Sequence, residues 1–116
     1  MEEHHLVQAP IDIRLEERGD TAVVLISGAC DASGHQQLRE RLLEAESGEV
    51  NGIVVDLTSV PFIDSISLRI VIAAWNRARH ARHCFSVALS TSGQVRRVFE
   101  VTGVDQVLPV TEPSPA

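Results

Sequence analysis

The stretch Val60-Pro61-Phe62-Ile63-Asp64-Ser65-Ile66-Ser67-Leu68 holds the residues best placed to do chemistry. The apolar run Ile53 to Leu57 precedes it and a helical pattern follows, so Ser65 falls at a predicted helix start, just after Asp64. The first amides of a helix lack partners within it and point outward with partial positive charge. A serine hydroxyl at that place can take up a phosphate, adding about −1.5 to −2 charge, without opposing the helix dipole. Serine and aspartate are also favoured helix caps, each worth ~1 kcal/mol. The residues alone leave two uses for Asp64-Ser65: a phosphoacceptor whose hydroxyl Asp64 orients, or plain capping.

Other candidates surround this pair. Asp31 follows a predicted strand, and open parallel sheets gather such loops at one end, which brings Asp31 toward Ser65. It can equally cap the next helix. Arg69 lies four residues after Ser65, close enough on one helix face to pair with a phosphate there. The alternative is an ordinary solvated charge. His80, His83 and Cys84 lie close together, but no acidic residue or second cysteine completes a metal set locally, so no metal is expected. No Walker-type loop or complete Rossmann fingerprint is present, so no cofactor or nucleotide site is expected. A small hydrolase built on Ser65 with Asp31 or Asp64 would need a histidine that is not evident nearby, and the Gly-x-Ser-x-Gly elbow is missing.

The elements that must position these groups can be read from apolar periodicity. Residues 1 to 10 are polar and read as a loose arm ending at Pro10. Ile11 to Glu17 alternates apolar and polar, as a half-exposed strand does. Thr21 to Ser27 contains the continuous run Ala22-Val23-Val24-Leu25-Ile26, which predicts a strand covered on both faces. The turn Arg18-Gly19-Asp20 joins the two as a hairpin. His35 to Glu46 reads as a helix, with Leu38 and Leu42 four apart and Leu43 and Ala45 beside them. Gly52 to Leu57 is a third strand, and Ser65 to His80 a second helix with Ile66, Ile70, Ala73 and Ala74 at helical spacing. Cys84 to Leu89 is a fourth strand. Ser90, Thr91 or Ser92 caps a third helix with Val95, Val98 and Phe99, and Gly103 stops it. Val107 to Val110 is a short last strand, and residues 111 to 116 form a tail. Strands alternating with helices predict an α/β fold with a mostly parallel sheet.

Composition narrows the partners. The chain of 116 residues is one domain in size, large enough to fold without disulfide or metal staples. Aromatics are only 3%, so the core must rest on Val, Ile, Leu and Ala. The net charge of −6, with arginines clustered at 77–82 and 96–97 and no aromatic platform among them, argues against nucleic-acid binding. The N-terminal Met-Glu-Glu-His-His lacks the basic and apolar pattern of a secretory signal. No stretch approaches the ~18 apolar residues of a membrane span. A cytoplasmic protein is therefore expected, with no membrane contact and with Cys30 and Cys84 both reduced and buried.

Asp56-Leu57-Thr58-Ser59-Val60-Pro61-Phe62-Ile63-Asp64-Ser65 resembles the signature of STAS domains, the fold of sulphate transporters and anti-sigma factor antagonists. Gly28-Ala29-Cys30-Asp31 is similar to the Gly-x-x-Asp of that family, and Phe99 with Thr102-Gly103-Val104 fits its ending. The resemblance covers about residues 10 to 110. It implies an α/β domain over 11–110, a single-layer, mixed, mostly parallel sheet of four or five strands flanked by three or four helices. It further implies an anti-sigma factor antagonist, a binding module rather than an enzyme. In that scheme the unmodified protein binds an anti-sigma factor serine kinase and frees a sigma factor. The kinase phosphorylates the serine matching Ser65, the complex separates, and a phosphatase acting on phospho-Ser65 resets the cycle. Asp31, Asp64, Ser65, Ile66 and Arg69 are the expected partner-binding residues, on a monomer or weak dimer. The alternative is a STAS interaction module that is not phosphorylated and serves as a regulatory subunit of another complex. The family usually continues Asp-Ser-Ser-Gly-Leu-Gly, whereas this chain has Asp64-Ser65-Ile66-Ser67-Leu68-Arg69, bulkier and more basic around the same acceptor.

Overall fold

The computed structural model describes residues 10–112. A hairpin opens the fold: β1 (Asp12–Arg18) pairs antiparallel with β2 (Thr21–Ser27). Next come α1 (His35–Glu46), β3 (Gly52–Ser59), α2 (Ser65–His80), β4 (Cys84–Ala88), α3 (Gln94–Val101) and β5 (Val110–Thr111). The five strands lie in chain order, with β2, β3, β4 and β5 mutually parallel. This is the α/β, mostly parallel sheet that the sequence predicts.

That strand order decides where the helices go. Crossovers between parallel strands are almost always right-handed. Successive crossovers that step in one direction across a sheet therefore place every helix on the same face. The buried residues follow this rule. Ala22, Val24 and Ile26 of β2, Ile53, Val55 and Leu57 of β3, and Phe85 and Val87 of β4 all belong to one core, to which the helices add Leu38, Leu42, Val71, Ala74 and Phe99. These strand positions share a parity, so they point to one side.

The outer face is the correction to the expectation that β2 is covered on both faces. Leu25 and Val54, of the opposite parity, are only half-buried, and shallow open concavities lined by Thr21, Val23, Asp56 and Ser86 run along that face. A continuous apolar run looks the same whether one or both faces are covered, and on this face Val23 is itself buried, at 6% exposure, while Leu25 is not. Cys84 belongs to this face and is exposed, contrary to the burial expected of it, because it opens β4 beyond the reach of the helices. Cys30 is buried as expected.

Smaller differences lie at element ends. α3 takes Gly93 as its N-cap, not Ser90, Thr91 or Ser92, and no side chain caps it. Gly93 has φ 105 and ψ 179, a backbone region essentially closed to residues with a Cβ. Such a swing turns the chain into the helix without offering a preceding side chain to its amides. β5 begins three residues later than predicted, because the 3-10 turn Val104–Gln106 consumes chain first. Most of the expected N-terminal arm, residues 1–9, and the end of the tail, residues 113–116, lie outside the described residues.

Candidate functional site

The site forms at the C-terminal end of the parallel strands, where the loops after β2 and β3 meet. Their backbones are stitched together. Cys30 N donates to Phe62 O at 2.8 Å and Asp64 N donates to Cys30 O at 3.0 Å, a parallel bridge between Cys30 and Ile63. A third strap comes from α3. The Gln94 amide accepts from Ile63 N at 2.9 Å and donates to Ile63 O at 3.0 Å, standing in for a strand partner. The segment that delivers Ser65 is thus bonded on both sides.

Ser65 is the first residue of α2 and is exposed. Asp64 is the N-cap, in extended conformation, and its Oδ1 accepts from Ser67 N at 2.7 Å. The two roles left open for Asp64-Ser65 therefore divide between them: Asp64 caps, and the Ser65 hydroxyl makes no hydrogen bond among the described residues. Ser67 lies two positions on, which turns it to the inner side of the helix. It is 1% exposed, and its hydroxyl has no hydrogen-bond partner among the described residues. Of the two neighbouring serines only Ser65 is open to another protein.

Sequence reasoning missed His35. Its Nε2 lies 2.8 Å from Asp64 Oδ2 and 3.1 Å from Oδ1, across 29 residues of chain. A histidine at a helix start carries no signal of such a partner, and only the juxtaposition of the two helix starts brings it there. It also corrects the view that no histidine is near. Its ring nitrogen is engaged by Asp64, however, not by the Ser65 hydroxyl. Burial pushes the Asp64 carboxyl up, but hydrogen bonds from Ser67 and His35 outweigh it, so the pKa lies below its usual value. Burial, with Asp64 and Asp31 adding their negative charge, pushes the Cys30 thiol up to about 12. Cys30 is therefore a neutral packing residue.

Asp31 lies one residue after Cys30 and thus on the same stitched rim as Asp64. Its carboxylate accepts from Ser33 N at 3.1 Å and Ser33 Oγ at 2.7 Å. It caps the 3-10 turn Ala32–Gly34 that leads into α1, so the cap is not made on α1 itself, whose N-cap is Gly34. Ile66 is 45% exposed beside Ser65, and Arg69 is exposed one turn further along. Among the described residues no group of three or more His, Cys, Asp or Glu is gathered as a metal site. No helix among them is long and apolar enough to cross a membrane.

Comparison with known proteins identifies the family and the fold. The profile of the family described as "Mlab, STAS domain" matches residues 13–110. The chain belongs to the STAS-domain family. An anti-sigma-B factor antagonist of Listeria monocytogenes is 28% identical, over 86% of this chain and 88% of its own length. The crystal structure of an anti-sigma factor antagonist from Mycobacterium paratuberculosis superposes with a TM-score of 0.83 at 25% identity, covering 90% of this chain and 87% of that one. The Bacillus cell fate determinant SpoIIAA, in its phosphorylated form, shares the fold at a TM-score of 0.67 and 20% identity, covering 89% of this chain and 92% of its own. By sequence family and by fold, this STAS domain stands among anti-sigma factor antagonists.

Proposed function

We propose that this STAS domain is an anti-sigma factor antagonist switched by phosphorylation of Ser65. Unmodified, it binds an anti-sigma factor serine kinase in the cytoplasm and releases a sigma factor. Phosphorylated, it lets the kinase go, and a phosphatase acting on phospho-Ser65 restores it. It acts by binding rather than catalysis, as a monomer or weak dimer, with Asp31, Asp64, Ser65, Ile66 and Arg69 on the contact surface.

The observation that carries this is the contrast at the start of α2: a free, exposed Ser65 hydroxyl on a backbone that Asp64, His35 and Gln94 hold in place. The physics of the modification suits the position. A phosphate at a helix N-terminus is stabilised by up to ~2 kcal/mol, so the fold survives it. The same charge facing an acidic partner surface costs several kcal/mol. At ~1.4 kcal/mol per decade, that is on the order of a hundredfold in affinity. The relatives are consistent with this use, since one neighbour of the same fold is described in its phosphorylated form.

One feature favours the second reading, a constitutive interaction module. Ile66 places a half-exposed apolar side chain beside the acceptor, which suits a permanent contact as well as a switched one. Incubation with ATP and candidate anti-sigma kinases, followed by mass spectrometry, separates the two. The switch requires a phosphate on Ser65, absent in Ser65→Ala, and at least tenfold weaker kinase binding once it is added. Tight binding without modification, or a Ser65→Asp variant that binds as well as the native chain, selects the constitutive module.

A further inference from the structure

α1 and α2 pack side by side and leave a groove of about 290 Å³ between their outer surfaces. Ile66, Arg69, Ile70, Ala73 and Arg77 recur on α2 at intervals of three and four, so they form one stripe along the groove. Arg39 and Leu43 face it from α1. Leu43 and Ile66 are each 45% exposed, two large apolar side chains left in water on opposite walls. The far end is closed by Arg77, whose guanidinium is held by both carboxylate oxygens of Glu46 at 2.6 and 2.9 Å.

The charges in this groove are one-sided. Arg39 and Arg69 form no ion pair among the described residues, although the chain as a whole carries −6. The acidic residues on the rest of α1 are engaged elsewhere, Glu44 by Arg41 and Glu40 by Gln36. Two uncompensated arginines thus flank an apolar floor in an acidic protein. An apolar groove between helices, read at intervals of three and four, is the shape that accepts an amphipathic helix. Complementarity of charge requires that helix to carry carboxylates beside its apolar face. Nucleic acid or an anionic membrane would need a broader basic surface than two arginines on a domain of this charge.

We propose that the groove between α1 and α2 receives an acidic amphipathic helix of the protein partner, with Ile66 and Leu43 meeting its apolar face and Arg39 and Arg69 its carboxylates. The release step, and only that step, rests on the phosphorylation reading above. Ser65 lies four residues before Arg69, at the groove's open end. A phosphate there draws Arg69 away from the partner's carboxylate and sets two negative charges against the helix that carries it. A single modification removes one attraction and adds one repulsion.

The test titrates the isotope-labelled full chain with a synthetic amphipathic helical peptide. The peptide carries leucines at three- and four-residue spacing and flanking glutamates, and its counterpart carries lysines instead. Amide shifts confined to α1 and α2, with the glutamate peptide binding at least tenfold tighter than the lysine peptide, are expected. Arg39→Glu with Arg69→Glu reverses that preference, and Ile66→Ser weakens both peptides. All three side chains are exposed or half-exposed, so thermal melts of the variants stay close to native. Equal binding of the two peptides, no shifts at millimolar peptide, shifts on the open sheet face, or an RNA oligonucleotide matching the glutamate peptide would each overturn the groove. Two outcomes keep the separate ideas apart. If the charge preference holds but phosphate on Ser65 leaves peptide binding unchanged, the groove stands and the switch fails. If phospho-Ser65 releases a kinase whose affinity ignores both arginine reversals, the switch stands and the groove fails.

Discussion

The junctions β3–α2 and β4–α3 leave the same end of the sheet and enter helices in parallel, yet they are secured by opposite means. α2 starts on a side-chain cap from Asp64, which His35 holds in turn, and its lead-in strand is clasped by Gln94. α3 starts on Gly93, with no side-chain cap among the described residues. What α3 has is amphipathicity: Val95 and Phe99 are buried one turn apart, and Phe99 is fully enclosed. α3 lends Gln94 to the strap on Ile63, but its own start is anchored by one large apolar side chain. On the proposed function the first residue of α2 meets another protein, which requires that residue to be held at a fixed place. Polar bonds do this with direction, where apolar burial does not.

The sharpest way to break the contrast is to remove the anchor of α3. Phe99→Ala is expected to cost about 3–5 kcal/mol in denaturant unfolding, the range for a large buried aromatic. A loss below about 1 kcal/mol would mean that α3 is held by something other than packing. Next in size is Gln94→Ala, which strands the Ile63 amide and carbonyl in a buried setting, at about 1–3 kcal/mol. Hydrogen exchange at Ile63 should rise with it. Unchanged exchange would deny that Gln94 stands in for a strand partner.

Asp64→Ala should cost about 1–2 kcal/mol through the lost cap, and this effect carries a pH signature. The folded carboxyl has a pKa below its usual value, so its contribution is complete above pH ~4 and is lost as pH falls through the folded value. Between pH ~5 and ~2 the melting temperature of the native chain should therefore fall more steeply than that of Asp64→Asn. Parallel slopes would remove the charged cap from the account. The smallest effect belongs to Ser92→Ala, expected within ~0.5 kcal/mol of native because no cap is lost. A larger cost would place a hidden cap on α3 and erase the difference between the junctions.

The same contrast explains what was legible beforehand. α2 could be bounded at Ser65 and His80 from residues alone, because its cap and its apolar spacing are both local signals. The hairpin and the mostly parallel sheet followed from alternation and from strands interleaved with helices, while the order of the strands across the sheet came only with the structure. His35 and Gln94 were not legible, since each acts on a backbone or carboxylate about 30 positions away in sequence. A side-chain amide acting as a strand partner has no spacing of its own to betray it. The outer sheet face was misjudged for a different reason: Val23 and Leu25 keep the hydropathy of an interior strand while facing outward. Burial of Ser67 against exposure of Ser65 came from helix geometry that the sequence implied, but only the packed core fixed which of the two turned inward.

The two cysteines carry a practical consequence of the one-sided sheet. Cys30 is locked away as a thiol whose pKa burial pushes up to about 12, while Cys84 lies in water where β4 begins, at the end of the sheet remote from α2's first turn. An alkylating dye added near neutral pH will thus mark one sulphur and spare the other. The native chain comes with its own reporter position, at the other end of the sheet from the Ser65 surface proposed to meet a partner.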